Sequence, residues 1–308
     1  MNNFLNISDH SSNELRAIID EAKARKLKRK GLNKSAPDED KPFEGKSMAM
    51  IFEKPSTRTR MSFDIAVKQL GGSSIILNPD VIHYGKGDET LKDTAKVLSE
   101  YVDIVMLRTS SHKNLEEFGK YLDIPIINGL SDISHPCQIM SDILTYEESN
   151  GDITGKTVSW LGDGNNNMSN SLIEAAGKFK FNLKIGCPKK YAPSKKILNW
   201  AQKNKVNLIV STKPEDAVKG SDCIMTDKWV SMNDKVNKKS KKKTLKPYQV
   251  NKKLMSKANS DAIFMHCLPV GRGEEVTDEI IDGEQSVVWR QALNRVHAQK
   301  SIIKWCLV

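Results

Sequence analysis

The sequence predicts an α/β protein of two doubly wound parallel-sheet domains, with the active site at the strand C-terminal edges between them. Three observations carry this expectation. Short apolar runs alternate with helix-patterned runs along nearly the whole chain. The alternation falls into two series that meet at Asn150-Gly151-Asp152. Polar residues able to bind or activate small molecules follow the strands, which is where open parallel sheets hold ligands. A chain of 308 residues has room for two such domains.

The elements read in order as follows. Residues 7–31 form a helix, with Ser8 or Asp9 as cap and Leu15, Ile18, Ile19 and Ala22 at helical spacing. A charged, proline-containing loop at 33–41 leads to a strand at 48–52. Next come a helix ending at Gly71-Gly72, a strand at 74–77 and a glycine-containing loop at 80–88. The first series then runs through a helix at 91–101, a strand at 104–107, a helix at 115–121, a strand at 124–127 and a helix from Pro136 to 149. The second series has strands at 157–161, 183–185, 206–210, 222–225 and 262–265. A closing helix at 294–307 could pack on either domain.

Composition excludes several classes. No apolar run is long enough to span a membrane, and the first residues lack both the basic and the apolar segments of a signal peptide. The protein is therefore expected in the cytoplasm. Cys137, Cys187, Cys223, Cys267 and Cys306 are odd in number and lack C-x-x-C spacing, as reduced thiols would. The net charge of +10 gathers in two stretches, 23–34 and 235–257, with no interleaved aromatics to stack on bases. They read as solvated basic faces, and nucleic acid is not the expected partner. Gly162-Asp163-Gly164 lacks the third glycine of a dinucleotide fingerprint.

The chemistry is concentrated in six short segments. Ser56-Thr57-Arg58-Thr59-Arg60 stands between a strand and a helix, so its hydroxyls and backbone N–H groups meet at a helix N-terminus beside two guanidiniums. That combination suits a phosphate. Arg108 follows the third strand. His135-Pro136-Cys137-Gln138 opens a helix, with Pro136 suited to its first position. Asp163 and Asn165-Asn166-Asn167 follow the 157–161 strand, Asp227 follows 222–225, and His266-Cys267-Leu268-Pro269 follows 262–265. Singly, His135 could be a helix-start histidine, Cys267 a small core residue, Asp227 a cap and Arg295 a surface charge. Their shared edge is what points to a site.

Ser56-Thr57-Arg58-Thr59-Arg60, Leu107-Arg108-Thr109, His135-Pro136-Cys137-Gln138, Asp227-Lys228-Trp229-Val230-Ser231-Met232 and His266-Cys267-Leu268-Pro269 together resemble the aspartate/ornithine carbamoyltransferase family. The resemblance covers nearly the whole chain, and its last two motifs resemble the members that use ornithine rather than aspartate. It implies transfer of the carbamoyl group of carbamoyl phosphate to the side-chain amine of L-ornithine. The products would be L-citrulline and phosphate, in an arginine-biosynthesis or urea-cycle-type step without metal or organic cofactor. It also implies a homotrimer with sites at subunit interfaces.

By the same resemblance, residues 1–149 are the carbamoyl phosphate-binding domain, with helix 291–308 packing back on it, and 150–290 the ornithine-binding domain. Carbamoyl phosphate would be bound by Ser56, Thr57, Arg58, Thr59, Arg108, His135, Gln138, Cys267, Leu268 and Arg295. Arg108, His135, Gln138 and Cys267 would act in catalysis. Asn167, Asp227, Ser231 and Met232 would hold ornithine. Two positions depart from the family pattern. His83 or Tyr84 stands where a loop glutamine is usual, and Asn233 stands where a glycine follows Ser-Met.

Overall fold

The computed structural model describes residues 2–78, 89–230 and 237–308. The chain divides into two compact units, Met1–Leu144 with Leu293–Val308, and Thr145–Ala292.

In chain order the first series is α1 (Ser12–Lys28), β1 (Ser47–Phe52), α2 (Thr57–Gln69), β2 (Ser73–Leu77), α3 (Leu91–Tyr101), β3 (Ile104–Arg108), α4 (His112–Tyr121), β4 (Ile126–Leu130) and α5 (Pro136–Asn150). Its four strands form a parallel sheet in the order β2-β1-β3-β4. β1 reads as an unbroken apolar run because Met48, Ala49, Met50 and Ile51 are all fully buried, as in a strand covered on both faces. Ala49 and Ile51 pack with Val105, Leu107, Leu115, Phe118 and Ile126. The winding goes outward from β1 to β2, then reverses to β3 and β4, so the switch point lies between β1 and β3. Such reversals leave a crevice at the carboxyl ends of the two strands.

The second series is β5 (Thr157–Leu161), α6 (Asn167–Phe179), β6 (Asn182–Gly186), α7 (Lys195–Lys203), β7 (Leu208–Ser211), α8 (Pro214–Val218), β8 (Cys223–Thr226), α9 (Lys238–Leu245), α10 (Lys252–Met255), β9 (Ile263–His266), α11 (Asp278–Ile281) and α12 (Val288–Cys306). The strands are again parallel, in the order β7-β6-β5-β8-β9. Here the reversal lies between β5 and β8. Leu161, Ile224, Val250, Phe264, Val276, Ile281 and Val288 form the core of this unit.

Three sequence expectations need correction. The cap of α1 is Ser11, whose Oγ accepts from the Glu14 N–H at 3.2 Å while Glu14 accepts from the Ser11 N–H at 2.8 Å. This reciprocal capping box outcompetes Ser8 and Asp9, and Asp9 instead accepts from the Asn6 N–H. β4 begins at Ile126 because Pro125 can offer a carbonyl, taken by the Val105 N–H, but has no N–H of its own. The two basic stretches are not solvated throughout. Arg25 lies 3.0 Å from Asp38, Arg29 lies 2.6 Å from the same carboxylate, and Lys300 joins them at 2.7 Å. In the second stretch Lys241 is buried against Asp163 at 2.6 Å. A cation leaves water when a carboxylate from elsewhere in the fold is brought against it, and local composition carries no sign of that partner.

Candidate active site

In the first unit the Ser-Thr-Arg-Thr-Arg stretch does start a helix. Ser56 is the extended N-cap of α2, and its Oγ accepts from the Thr59 N–H at 3.4 Å. Thr57, Arg58, Thr59 and Arg60 therefore make up the first turn, where unpaired N–H groups and the positive end of the helix dipole favour an anion. The buried Thr59 Oγ1 accepts from Arg108 Nη1 at 3.0 Å and from Arg295 Nη2 at 2.7 Å. One hydroxyl thus gathers a guanidinium from β3 and another from α12.

Arg295 Nη1 also donates to Gln138 Oε1 at 2.5 Å, and Gln138 Nε2 donates to Asp142 Oδ1 at 2.8 Å. That chain fixes which way the Gln138 amide faces. Arg108 owes its placement to a register shift, where Leu107 pairs with Asn128 but Arg108 pairs with Leu130. The extra residue is Gly129, where an added Cβ would lie 2.3 Å from Met106 Sδ. A larger residue there would have to displace the Met106 side chain, and bulges of this kind re-aim side chains beside sites.

His135 precedes α5 and is 4 % exposed. Its pKa is held well below the ordinary histidine value, first by burial and then by the positive charges of Arg295, Arg108 and Arg58. The imidazole is consequently neutral at physiological pH, with one N–H donor and one acceptor nitrogen.

In the second unit the equivalent edge presents Asp227 after β8 and Cys267 after β9. Asp227 Oδ1 accepts from the Lys228 N–H at 2.7 Å and from Cys267 Sγ at 3.2 Å. The turn behind Cys267 is braced from below. The Leu268 N–H donates to His266 Nδ1 at 2.8 Å, so the proton sits on His266 Nε2, which donates to Glu275 Oε1 at 3.2 Å. Leu268 has a left-handed backbone, φ 59°, and that hydrogen bond helps hold it there. Across the switch point, Asn166 caps α6 by accepting from the Ser169 N–H at 2.8 Å, while Asn165 N–H is held by Asp163 Oδ1 at 2.9 Å. Asn167 is the first residue of α6.

Residues 2–148 match the carbamoyl-P binding domain, and residues 154–306 the Asp/Orn binding domain, of aspartate/ornithine carbamoyltransferase. The chain belongs to the aspartate/ornithine carbamoyltransferase family. Within this family it is 51% identical over 304 residues to an ornithine carbamoyltransferase of Brucella ovis, covering 99% of this chain and 95% of the relative. It is 52% identical over 305 residues to one from Nitrobacter winogradskyi, covering 99% and 96%. Among solved carbamoyltransferases, that of Pyrococcus furiosus matches with a TM-score of 0.91 at 43% identity over 98% of this chain and 95% of that one. An anabolic ornithine carbamoyltransferase of Campylobacter jejuni matches with a TM-score of 0.89 at 36% identity over 99% of both chains.

The structure brings Thr59, Arg108, Gln138 and Arg295 into direct contact, with Ser56 capping the same turn, Thr57 and Arg58 within it, and His135 in the field of the three arginines. In the second unit it joins Asp227 to Cys267, with Leu268 next in the turn and Asn167 at the start of α6, the helix that follows the neighbouring strand β5. Ser231, Met232, Asn233, His83 and Tyr84 lie outside the described residues. Sequence reasoning missed the supporting residues. Asp142, four residues after Gln138 in one helix, was findable from its spacing; Glu275, nine residues beyond His266, left no such signal.

Proposed function

We propose that this chain transfers the carbamoyl group of carbamoyl phosphate to the side-chain amine of L-ornithine, giving L-citrulline and phosphate. The observation that carries the reading is the convergence of Arg108 and Arg295 on Thr59 at the start of α2, beside a neutral, buried His135. Ser56, Thr57, Arg58 and Thr59 supply backbone and side-chain donors for the phosphate, and the arginines supply its counter-charge. As the amine lone pair forms the new C–N bond, the carbonyl oxygen takes the displaced π electrons. An N–H from neutral His135 and a guanidinium N–H from Arg108 stabilise that oxygen, while Gln138 orients the carbamoyl amide. Collapse breaks the C–O bond to phosphate, which departs onto cations already in place, and the amine proton is lost to it.

Asp227 pairs with the α-ammonium of ornithine, and Asn167, Ser231 and Met232 hold the rest of its amino-acid end. Cys267 and Leu268 border the reacting amine. A free side-chain amine of pKa about 10.4 is neutral at pH 7 only at a cost of roughly 4 to 5 kcal/mol. Positioning beside the carbamoyl carbon offsets part of that cost. We read residues 1–149 with 291–308 as the carbamoyl phosphate domain and 150–290 as the ornithine domain. The step belongs to arginine synthesis. The family resemblance supports a cytoplasmic homotrimer with sites at subunit interfaces. Among the described residues no helix is long and apolar enough to cross a membrane.

The test is citrulline formation by the purified protein, with carbamoyl phosphate and, side by side, ornithine, putrescine, N-acetylornithine and aspartate. Rapid product from ornithine alone is expected. Faster reaction with putrescine would remove the role given to Asp227, because a diamine lacks the α-ammonium and α-carboxylate.

A further inference from the structure

Lys241 is a lysine in a run of lysines, yet among the described residues of that run it alone is taken out of water. It is 6% exposed, and its Nζ lies 2.6 Å from Asp163 Oδ2 and 5.4 Å from the centroid of the Tyr191 ring. Removing both charges from water is costly, and a buried pair is often no more stabilising than an apolar one of the same volume. Stability alone is therefore a weak reason for its presence. What the pair does supply is one fixed geometry.

The fixed parts are those that carry the amino-acid end of the site. Asp163 follows β5 at the switch point of the second sheet. Its second oxygen holds the Asn165 N–H, and its backbone carbonyl accepts from the buried Trp160 Nε1 at 2.9 Å, so the turn leading to Asn167 hangs on this residue. The Gly164 N–H donates to the Tyr191 carbonyl at 2.9 Å, and an added Cβ at Gly164 would sit 2.9 Å from the same oxygen. Tyr191 in turn packs with Trp229, Val230 and Leu245. Trp229 lies two residues after Asp227, and Leu245 closes α9, the helix that carries Lys241. One ion pair and the ring beneath it thus join the Asn165–Asn167 turn, the chain leaving Asp227 and α9.

The geometry points to Lys241 and Asp163 as positioning residues for the amino-acid substrate. They hold the turn bearing Asn167 and the segment following Asp227 in one mutual arrangement and have no part in binding carbamoyl phosphate. This rests on the ornithine reading of the site.

The experiment is steady-state kinetics on the full chain for K241Q, D163N and the double variant, varying ornithine and carbamoyl phosphate separately. The expected result is a rise of roughly ten-fold or more in the ornithine KM for each single variant, with the carbamoyl phosphate KM within about two-fold of the parent. The double variant should be no worse than the poorer single one, because both remove one interaction. K241R, which keeps the charge, should recover part of the loss. If a single variant does not fold, the apolar pair K241M/D163L replaces it and should show the same ornithine-selective defect. An unchanged ornithine KM in folded variants, or equal weakening of both substrates, overturns the inference. A parent protein that makes no citrulline from ornithine overturns the functional reading as well, so the two failures are told apart by the parent alone.

Discussion

At the switch point of the first sheet, two guanidiniums are held by a hydroxyl and an amide oxygen, Thr59 and Gln138. At the switch point of the second, the buried cation Lys241 is matched by the carboxylate of Asp163, and the partly exposed Asp227 is held by a backbone N–H and a thiol. The two edges are topologically alike and chemically opposite. The oxygens of Thr59 and Gln138 that orient Arg108 and Arg295 are neutral, which agrees with the phosphate site proposed above. On the proposed reading, the Asp227 carboxylate faces the ammonium of the amino acid. On that reading, the first edge serves the phosphate and the second the amino acid.

The comparison can be broken most severely at Arg295. Arg295→Ala removes the donors to both Thr59 and Gln138, and hydrogen bonds to charged groups contribute about 1.5 to 3 kcal/mol each. Carbamoyl phosphate affinity should fall by roughly a hundred-fold or more, read by titration with the substrate. Arg58→Ala should act the same way through the first turn of α2. Next in size, Asp227→Ala should raise the ornithine KM by roughly ten- to a hundred-fold with carbamoyl phosphate binding unchanged. Unchanged ornithine affinity would return Asp227 to a structural role. Cys267→Ala should lower kcat by about ten-fold or less and leave the melting temperature nearly alone, since the thiol's described partner is the Asp227 carboxylate.

A further expected effect is one of pH. His297, two residues beyond Arg295, has its pKa lowered to about 3, first by burial and then by Lys300, Lys26 and Arg29. Between pH 3 and 6.5 the unfolded chain then binds the proton that the folded chain refuses, so stability falls as pH drops below 6.5. At pH 5 the loss from this one group is about 2 kcal/mol relative to pH 7. His297→Asn should flatten the difference between urea unfolding curves at pH 5 and 7.5. A slope identical to the parent's would show that His297 is protonated at its ordinary pKa.

Much of this was legible in the sequence, for a physical reason. Period and apolarity specify β1 and α3 locally, and a strand's carboxyl end is known once the strand is known, so Arg108, His135, Asp227 and Cys267 could be placed on edges before any coordinates. Ser56 could be named because a capping hydroxyl acts three residues away. What stayed hidden acts over long separations. Asp38 collects Arg25, Arg29 and Lys300 from three stretches. Lys241 meets Asp163 seventy-eight residues away in sequence. No local pattern distinguishes such a lysine from its solvated neighbours, so the run was misread as a uniformly wet face. The β4 bulge was equally silent, because a glycine in a strand does not reveal which atom across the sheet requires it.

Arg295 stands 236 residues after Thr59 in the chain and is therefore synthesised well after it. A growing polypeptide can therefore have folded its first sheet and still lack one of the two guanidiniums on Thr59 until Leu293–Val308 has been made. On the proposed reading, the carbamoyl phosphate site is therefore completed only after Arg295 has been made.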